Sequence, residues 1–188
     1  MSDPRSSEPQ RKSEPSPPSP EPPGLTEVDK RKVRDLLRPV IDELQPLLVD
    51  CARACRSGNL QLLNQARELL LQKFKAEKCH VSQVGSQEIG SDNPARLTYV
   101  AGRWSLIISE NLLTYPSSSA VKELVHELGT LLMLKRLVET TSSSGEKLNL
   151  EDNNQLQQLK DSFFFESNPT IGITHVLDSL FLKMIKKT

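Results

Sequence analysis

Aromatic side chains are scarce in this chain. Phe, Trp and Tyr make up 4% of its 188 residues, too few for a base-stacking platform. There are 3 cysteines, Cys51, Cys55 and Cys79, too few and too oddly numbered for a disulfide framework. Neither sign of charge prevails. Lys+Arg and Asp+Glu are 24 each, so no overall field steers the chain to nucleic acid or membrane. No uninterrupted apolar run reaches the roughly 18 residues of a membrane span. No apolar stretch near Met1 marks a secretory signal. These absences predict a soluble, reduced protein inside the cell, cytoplasmic or nuclear, without a membrane partner. A Gly-rich phosphate loop, a Ser/His/Asp elbow and a Cys/His nucleophile context are missing as well. Neither an enzyme nor a cofactor is therefore expected.

What is present is helical periodicity. The segment Ala120–Val138 carries Val121, Leu124, Val125, Leu128, Leu131, Leu132, Met133, Leu134, Leu137 and Val138. In its second half these cover most of the circumference, which predicts a helix buried on several sides. Residues 117–119 are serines, able to cap it. Gly129 costs a helix interior about 1 kcal/mol relative to Ala, a cost that close approach of another helix would explain.

The remaining chain is read around that helix. Residues 1–24 are rich in Pro, Ser, Glu and Arg, with no side chain to anchor a core, and are expected to be disordered. A first helix opens at Thr26. Its seam of Val33, Leu37, Val40, Leu44, Leu47, Cys51 and Ala54 is that of a helix packed lengthwise on a neighbour. Pro39 and Pro46 lie off the seam and predict kinks. Gly58-Asn59 ends it and caps a second, antiparallel helix from Leu60 to about Glu77, with Leu62, Leu63, Ala66, Leu69, Leu70 and Phe74 as its buried stripe. Residues 78–93 lose periodicity and read as a flexible loop, as do residues 140–149.

Over 94–114, Leu97, Ala101, Trp104, Ile108 and Leu112 fall at helical steps and predict a third helix. The rival reading is a β-hairpin about Ala101-Gly102, since both flanks are rich in strand formers. Leu150, Leu156, Leu159 and Phe163 suggest a helix to about Phe165. Ile173, Val176, Leu177, Leu180, Phe181 and Ile185 suggest a last one, with Lys183, Lys186 and Lys187 at its C-terminus. The expected fold is an all-α bundle of five or six helices in a single domain over 25–188. The alternative is α+β with a hairpin at 96–109.

Motifs add little. His126-Glu127 begins a zinc-protease helix, but Thr130 stands where the second histidine belongs. Cys51, Cys55 and Cys79-His80 lack the spacing of a known finger and read as core thiols. Leu44–Leu48 and Leu128–Leu132 match LxxLL on faces the core needs. Lys30, Arg34 and Arg38 share one face of the first helix, a candidate phosphate contact; interleaved acids also suit a solvated face. Ser16 and Ser19 precede prolines, and Ser82 and Ser86 precede glutamines, so all four are candidate phosphosites. The apolar side chains that fit the stripes worst, Tyr99, Trp104, Met133, Leu134 and Phe164, are candidate contacts for a partner protein. The expected function is a non-enzymatic adaptor or subunit of an intracellular complex. The alternative is a nucleic-acid binder using the basic face and the C-terminal lysines.

Overall fold

In the computed structural model the described residues are 27–85, 94–114, 116–143 and 173–187. They form α1 (Glu27–Ser57), α2 (Leu60–Ala76), β1 (His80–Val84), β2 (Ala95–Val100), β3 (Arg103–Ser109), α3 (Glu110–Thr114), α4 (Ser118–Ser143) and α5 (Ile173–Lys186). Residues 1–24, and with them Ser16 and Ser19, lie outside the described residues. So do Ser86, Phe164 and the expected helix at 150–165.

The first two helices follow their sequence signals. α1 runs continuously through Pro39 and Pro46. Its seam is buried at Leu37, Val40, Leu44, Cys51 and Ala54 and half-buried at Leu47. Gly58 takes φ +61°, which reverses the chain, and Asn59 Oδ1 accepts from the backbone N–H of Gln61 and Leu62 at 2.9 and 3.2 Å. That cap satisfies two otherwise orphaned donors of α2. α2 ends in a Schellman turn. The Cys79 N–H donates to the Phe74 carbonyl and the Lys78 N–H to the Lys75 carbonyl, at 2.9 and 3.0 Å. Lys78 stands at φ +57° where glycine is usual, and buried Phe74 and Cys79 flank the turn.

The chain then departs from the all-α expectation. The 78–93 stretch contains a strand, β1, and 94–114 is not a helix but the β2–β3 hairpin followed by the short α3. The hairpin named as the alternative is the one that fits. β3 is central: it pairs antiparallel with β2 and parallel with β1, in the order β1-β3-β2. Leu97 faces Leu106, Ala95 faces Ile108, and Tyr99 faces Trp104. These side chains share the inner face of the sheet. Two residues separate the readings. Ala101, which a helical stripe would bury, is exposed at the turn, and Leu106, which it would expose, is fully buried. Leu97, Trp104 and Ile108 satisfy both periods, which is why helical spacing misled. Ala101 and Gly102 both have positive φ, +52° and +76°, as the two-residue type I′ turn demands.

α4 begins where Ser117 Oγ accepts the Ala120 N–H at 3.1 Å, and it extends through the first residues of the expected 140–149 loop. It packs against α1, α2, α5 and β2. Val121, Leu124, Val125, Leu128, Leu131, Leu132, Met133 and Leu134 are all buried along it. The helices and the inner face of the sheet thus share one apolar core. α3 is tied to α2 by Arg67, which donates to the Leu113 carbonyl.

Ala101 is an L-residue held left-handed, at a cost of about 1 kcal/mol that asparagine lowers. Ala101→Asn should therefore stabilise the fold by about 0.5–1 kcal/mol in urea unfolding. An unchanged or lower midpoint would show that the turn is not I′ in solution.

Candidate functional site

The geometry that leaves the surface uneven is the seat of α5. Leu177 and Phe181 bury into the core, and the helix lies against both α1 and α4. Gly129 of α4 admits it. A Cβ built there would fall 2.0 Å from Leu177 Cδ2, far inside van der Waals contact. The glycine is thus a gap into which the Leu177 side chain packs. At α5's far end, Arg56 of α1 donates to the Lys187 carbonyl, meeting one of the carbonyls a helix end leaves without a partner.

A cleft opens on each flank of α5. Towards α1 lies a groove of about 380 Å³. Its walls are Ile41, Leu48, Val49 and Ala52 on one side and Leu180 and Met184 on the other, with Arg56 and Lys187 at one end. Val49 is 38% exposed there. Towards α4 lies a smaller cleft of about 250 Å³, bounded by Lys122, Glu123, His126, Asp178, Phe181 and Leu182. His126 Nδ1 and Asp178 Oδ2 are 2.9 Å apart across it. The hydrogen bond to Asp178 raises the histidine's pKa; burial pulls it down, and the charges of Asp178, Glu127 and Glu123 raise it further. Burial also pushes Glu123 up, His126 opposing and Asp178 adding to the effect.

A third polar feature joins α1, α2 and α4. Lys73 Nζ lies 2.8 Å from Glu43 and 3.1 Å from Glu77. Lys135 Nζ lies 2.5 Å from the Glu77 carboxylate and 3.2 Å from the Glu77 carbonyl, so it also caps α2. Arg136 lies 3.7 Å from Glu43. Burial alone would raise the pKa of Glu77, but the hydrogen bonds from Lys135 and Lys73 outweigh it and hold the carboxyl below its ordinary value. This cluster acts as a clamp between helices, its alternating charges satisfying one another.

The residues singled out in the sequence fall differently. Met133 and Leu134 are 2% and 0% exposed, and Trp104 is 8% exposed. Tyr99 packs edge-on to Trp104 with ring centroids 5.1 Å apart. Trp104, Met133 and Leu134 belong to the core, because the sheet and three other helices cover the face that looked surplus, and Tyr99 is half-buried beside them. Arg38 is exposed on α1, whereas the side chains of Lys30 and Arg34 lie outside the described residues. Ser82 is half-buried in β1. Both LxxLL matches bury their leucines, Leu47 only partly. Thr130 Oγ1 donates to the His126 carbonyl at 3.0 Å, and His126 turns to Asp178 instead of a second histidine.

Burial pushes the Cys51 thiol up to about 12, helped by Cys55 and Asp50. It pushes Cys79 up to about 11. Cys55 is raised too, by burial against the lowering effects of Ser118 and Lys122. A thiol held protonated is a poor nucleophile and a poor metal ligand. Among the described residues, no three His, Cys, Asp or Glu side chains gather as a metal would need, and no helix is long and apolar enough to cross a membrane.

The groove was missed in the sequence. Its walls come from segments far apart in the chain. No protein-family model, no curated protein and no solved structure matches this chain.

Two outcomes are expected. Gly129→Ala should lower stability by about 1–3 kcal/mol through overpacking against Leu177, and adding Leu177→Ala should cost less than the sum of the two single changes; additive losses in a double-mutant cycle would refute the contact. Glu77, its pKa lowered in the fold, stabilises above its ordinary carboxyl pKa and loses that contribution as pH falls through the depressed value. Glu77→Gln should therefore cost about 1–2 kcal/mol near neutrality and progressively less as the pH falls below the ordinary carboxyl value, read from urea midpoints across pH.

Proposed function

We propose that this protein is a non-enzymatic interaction module of an intracellular complex, and that the groove between α1 and α5 receives an amphipathic helix from a partner protein. The groove carries the reading. It is walled mainly by aliphatic and methionine side chains, with Gln45 among them, and methionine adapts its shape to irregular partners. The cations Arg56 and Lys187 stand at one end. A helix laid in such a groove would present apolar anchors at i, i+3 or i+4, and i+7. It would carry carboxylates at the end beside Arg56 and Lys187, where opposite charges speed encounter and set direction.

An enzyme draws less support. The three thiols are held protonated by burial, and the His126–Asp178 pair is a bridge between two helices. Nucleic acid also draws less. Lys183, Lys186 and Lys187 are exposed on α5 and Arg38 on α1, but exposed Asp35, Asp42, Glu43 and Asp50 share the α1 surface. Trp104 and Tyr99, the rings a base would stack on, pack on each other.

The test is selection of a display library of amphipathic helices against the full chain. The enriched peptides should share apolar anchors at helical spacing and carboxylates at one end. Val49→Glu, a change at an exposed groove position, should weaken them about tenfold or more. Peptides that bind the Val49→Glu chain as tightly as the unaltered one overturn the reading, as does a selection that enriches nothing.

A further inference from the structure

α5 is both a wall of the groove and a partner in polar contacts to α1 and α4, Lys187 with Arg56 and Asp178 with His126. At 3.6 residues per turn, Leu180, Met184 and Lys187 project roughly 180–240° round the helix from Asp178. One flank therefore faces the groove while the opposite flank faces α4 through Asp178 and Leu182. The core edge between them carries Leu177 against Gly129. Any shift that tilts α5 away from α4 must move the groove wall with it, because the helix is a rigid rod on this scale.

We infer that the His126–Asp178 pair is a pH-sensitive latch that seats α5 on α4 and thereby sets how well the α1–α5 groove holds its partner helix. The coupling to partner binding rests on the groove reading above; the latch itself does not. The charges facing His126 are Asp178 from α5 and Glu123 and Glu127 from its own helix, with Lys122 on the cleft wall. Three carboxylates against one lysine leave a balance that favours the imidazolium.

Protonated, His126 joins α4 to α5 through a charge-assisted hydrogen bond. Its pKa is raised in the fold, by the hydrogen bond to Asp178 first and against burial. The bond's contribution is thus complete below the ordinary histidine value of about 6.5. It fades as pH rises through the higher folded value. The latch is shut in mild acid and slackens on the alkaline side, in the range where histidine acts as a switch. The pair is partly open to solvent, with side chains 29% and 40% exposed. Its effect is accordingly a graded loosening and not an unfolding.

The experiment is hydrogen exchange of the full chain between about pH 5.5 and about pH 8.5, bracketing the histidine range, with rates divided by their intrinsic values. α2 amides serve as the internal reference. In the unaltered chain, the opening of α5 relative to α2 should grow about three- to tenfold with rising pH, as expected of a half-exposed charged pair. In Asp178→Asn the slope should vanish. His126→Gln, which keeps a neutral donor, should be flat as well and covers the case that Asp178→Asn fails to fold. An α5 opening that does not change with pH, or that keeps its slope in a folded variant, overturns the latch.

A groove-selected helix peptide should lose affinity by the same factor over the same range, and should lose none in the flat variants. Affinity that stays constant while α5 opens refutes the coupling alone. Failure of the groove shows separately, as indifference of the peptide to Val49→Glu.

Discussion

The constraint on which this structure depends is the burial of α4. A helix with Val121, Leu124, Leu128, Leu131, Met133 and Leu134 turned in different directions cannot be covered by one neighbour. At roughly 25 cal/mol per Å² of apolar surface, leaving any side open is expensive. α1, α2, α5 and β2 each take a sector. Only one sector is close enough to require the loss of a side chain. There Gly129 gives way to Leu177, and a helix propensity cost is exchanged for packing. The sheet exists for the same reason: its inner face, Leu97, Leu106 and Ile108, closes the core that four helices leave incomplete.

Polar groups are placed where that cover ends. The Glu43, Lys73, Glu77, Lys135 and Arg136 cluster ties α1, α2 and α4 at one margin. His126 and Asp178 tie α4 to α5 at another. The two differ in kind. The first alternates permanent charges, and pH moves it only at the extremes. The second depends on one proton near neutrality. α5 is joined to the rest of the described fold by an apolar edge against α1 and α4 and by polar contacts at Asp178 and Lys187. It also walls the apolar groove beside α1. Binding and regulation therefore converge on the same helix.

The first two helices, the cap between them and the all-round burial of α4 were legible from the chain, because capping and helical periodicity are local; the helix expected over 94–114 was not there, and α4 runs on to Ser143 past its expected end. Asn59, Gly58 and Ser117 act within a turn or two of themselves, as read. The hairpin was legible only as an alternative, since Leu97, Trp104 and Ile108 satisfy two periods at once and only Leu106 and Ala101 tell them apart. β1 was not legible. Its five residues, HVSQV, become a strand because β3, far along the chain, offers parallel hydrogen bonds, and no local propensity announces that.

The same division governs the site. The sequence by itself determined which residues are apolar, where the first helix gives way to the second, and that a glycine sits at the heart of the most buried helix. It pointed to Trp104, Met133 and Leu134 as surplus apolar groups, because it could not show how many neighbours would cover them. Tertiary structure alone decided that these are core, that Val49 and Met184 face each other across an open groove, and that His126 meets Asp178. Burial and pairing are properties of segments brought together across the fold, Arg56 with Lys187 and His126 with Asp178. Their energy depends on distance in space, which separation along the chain does not encode.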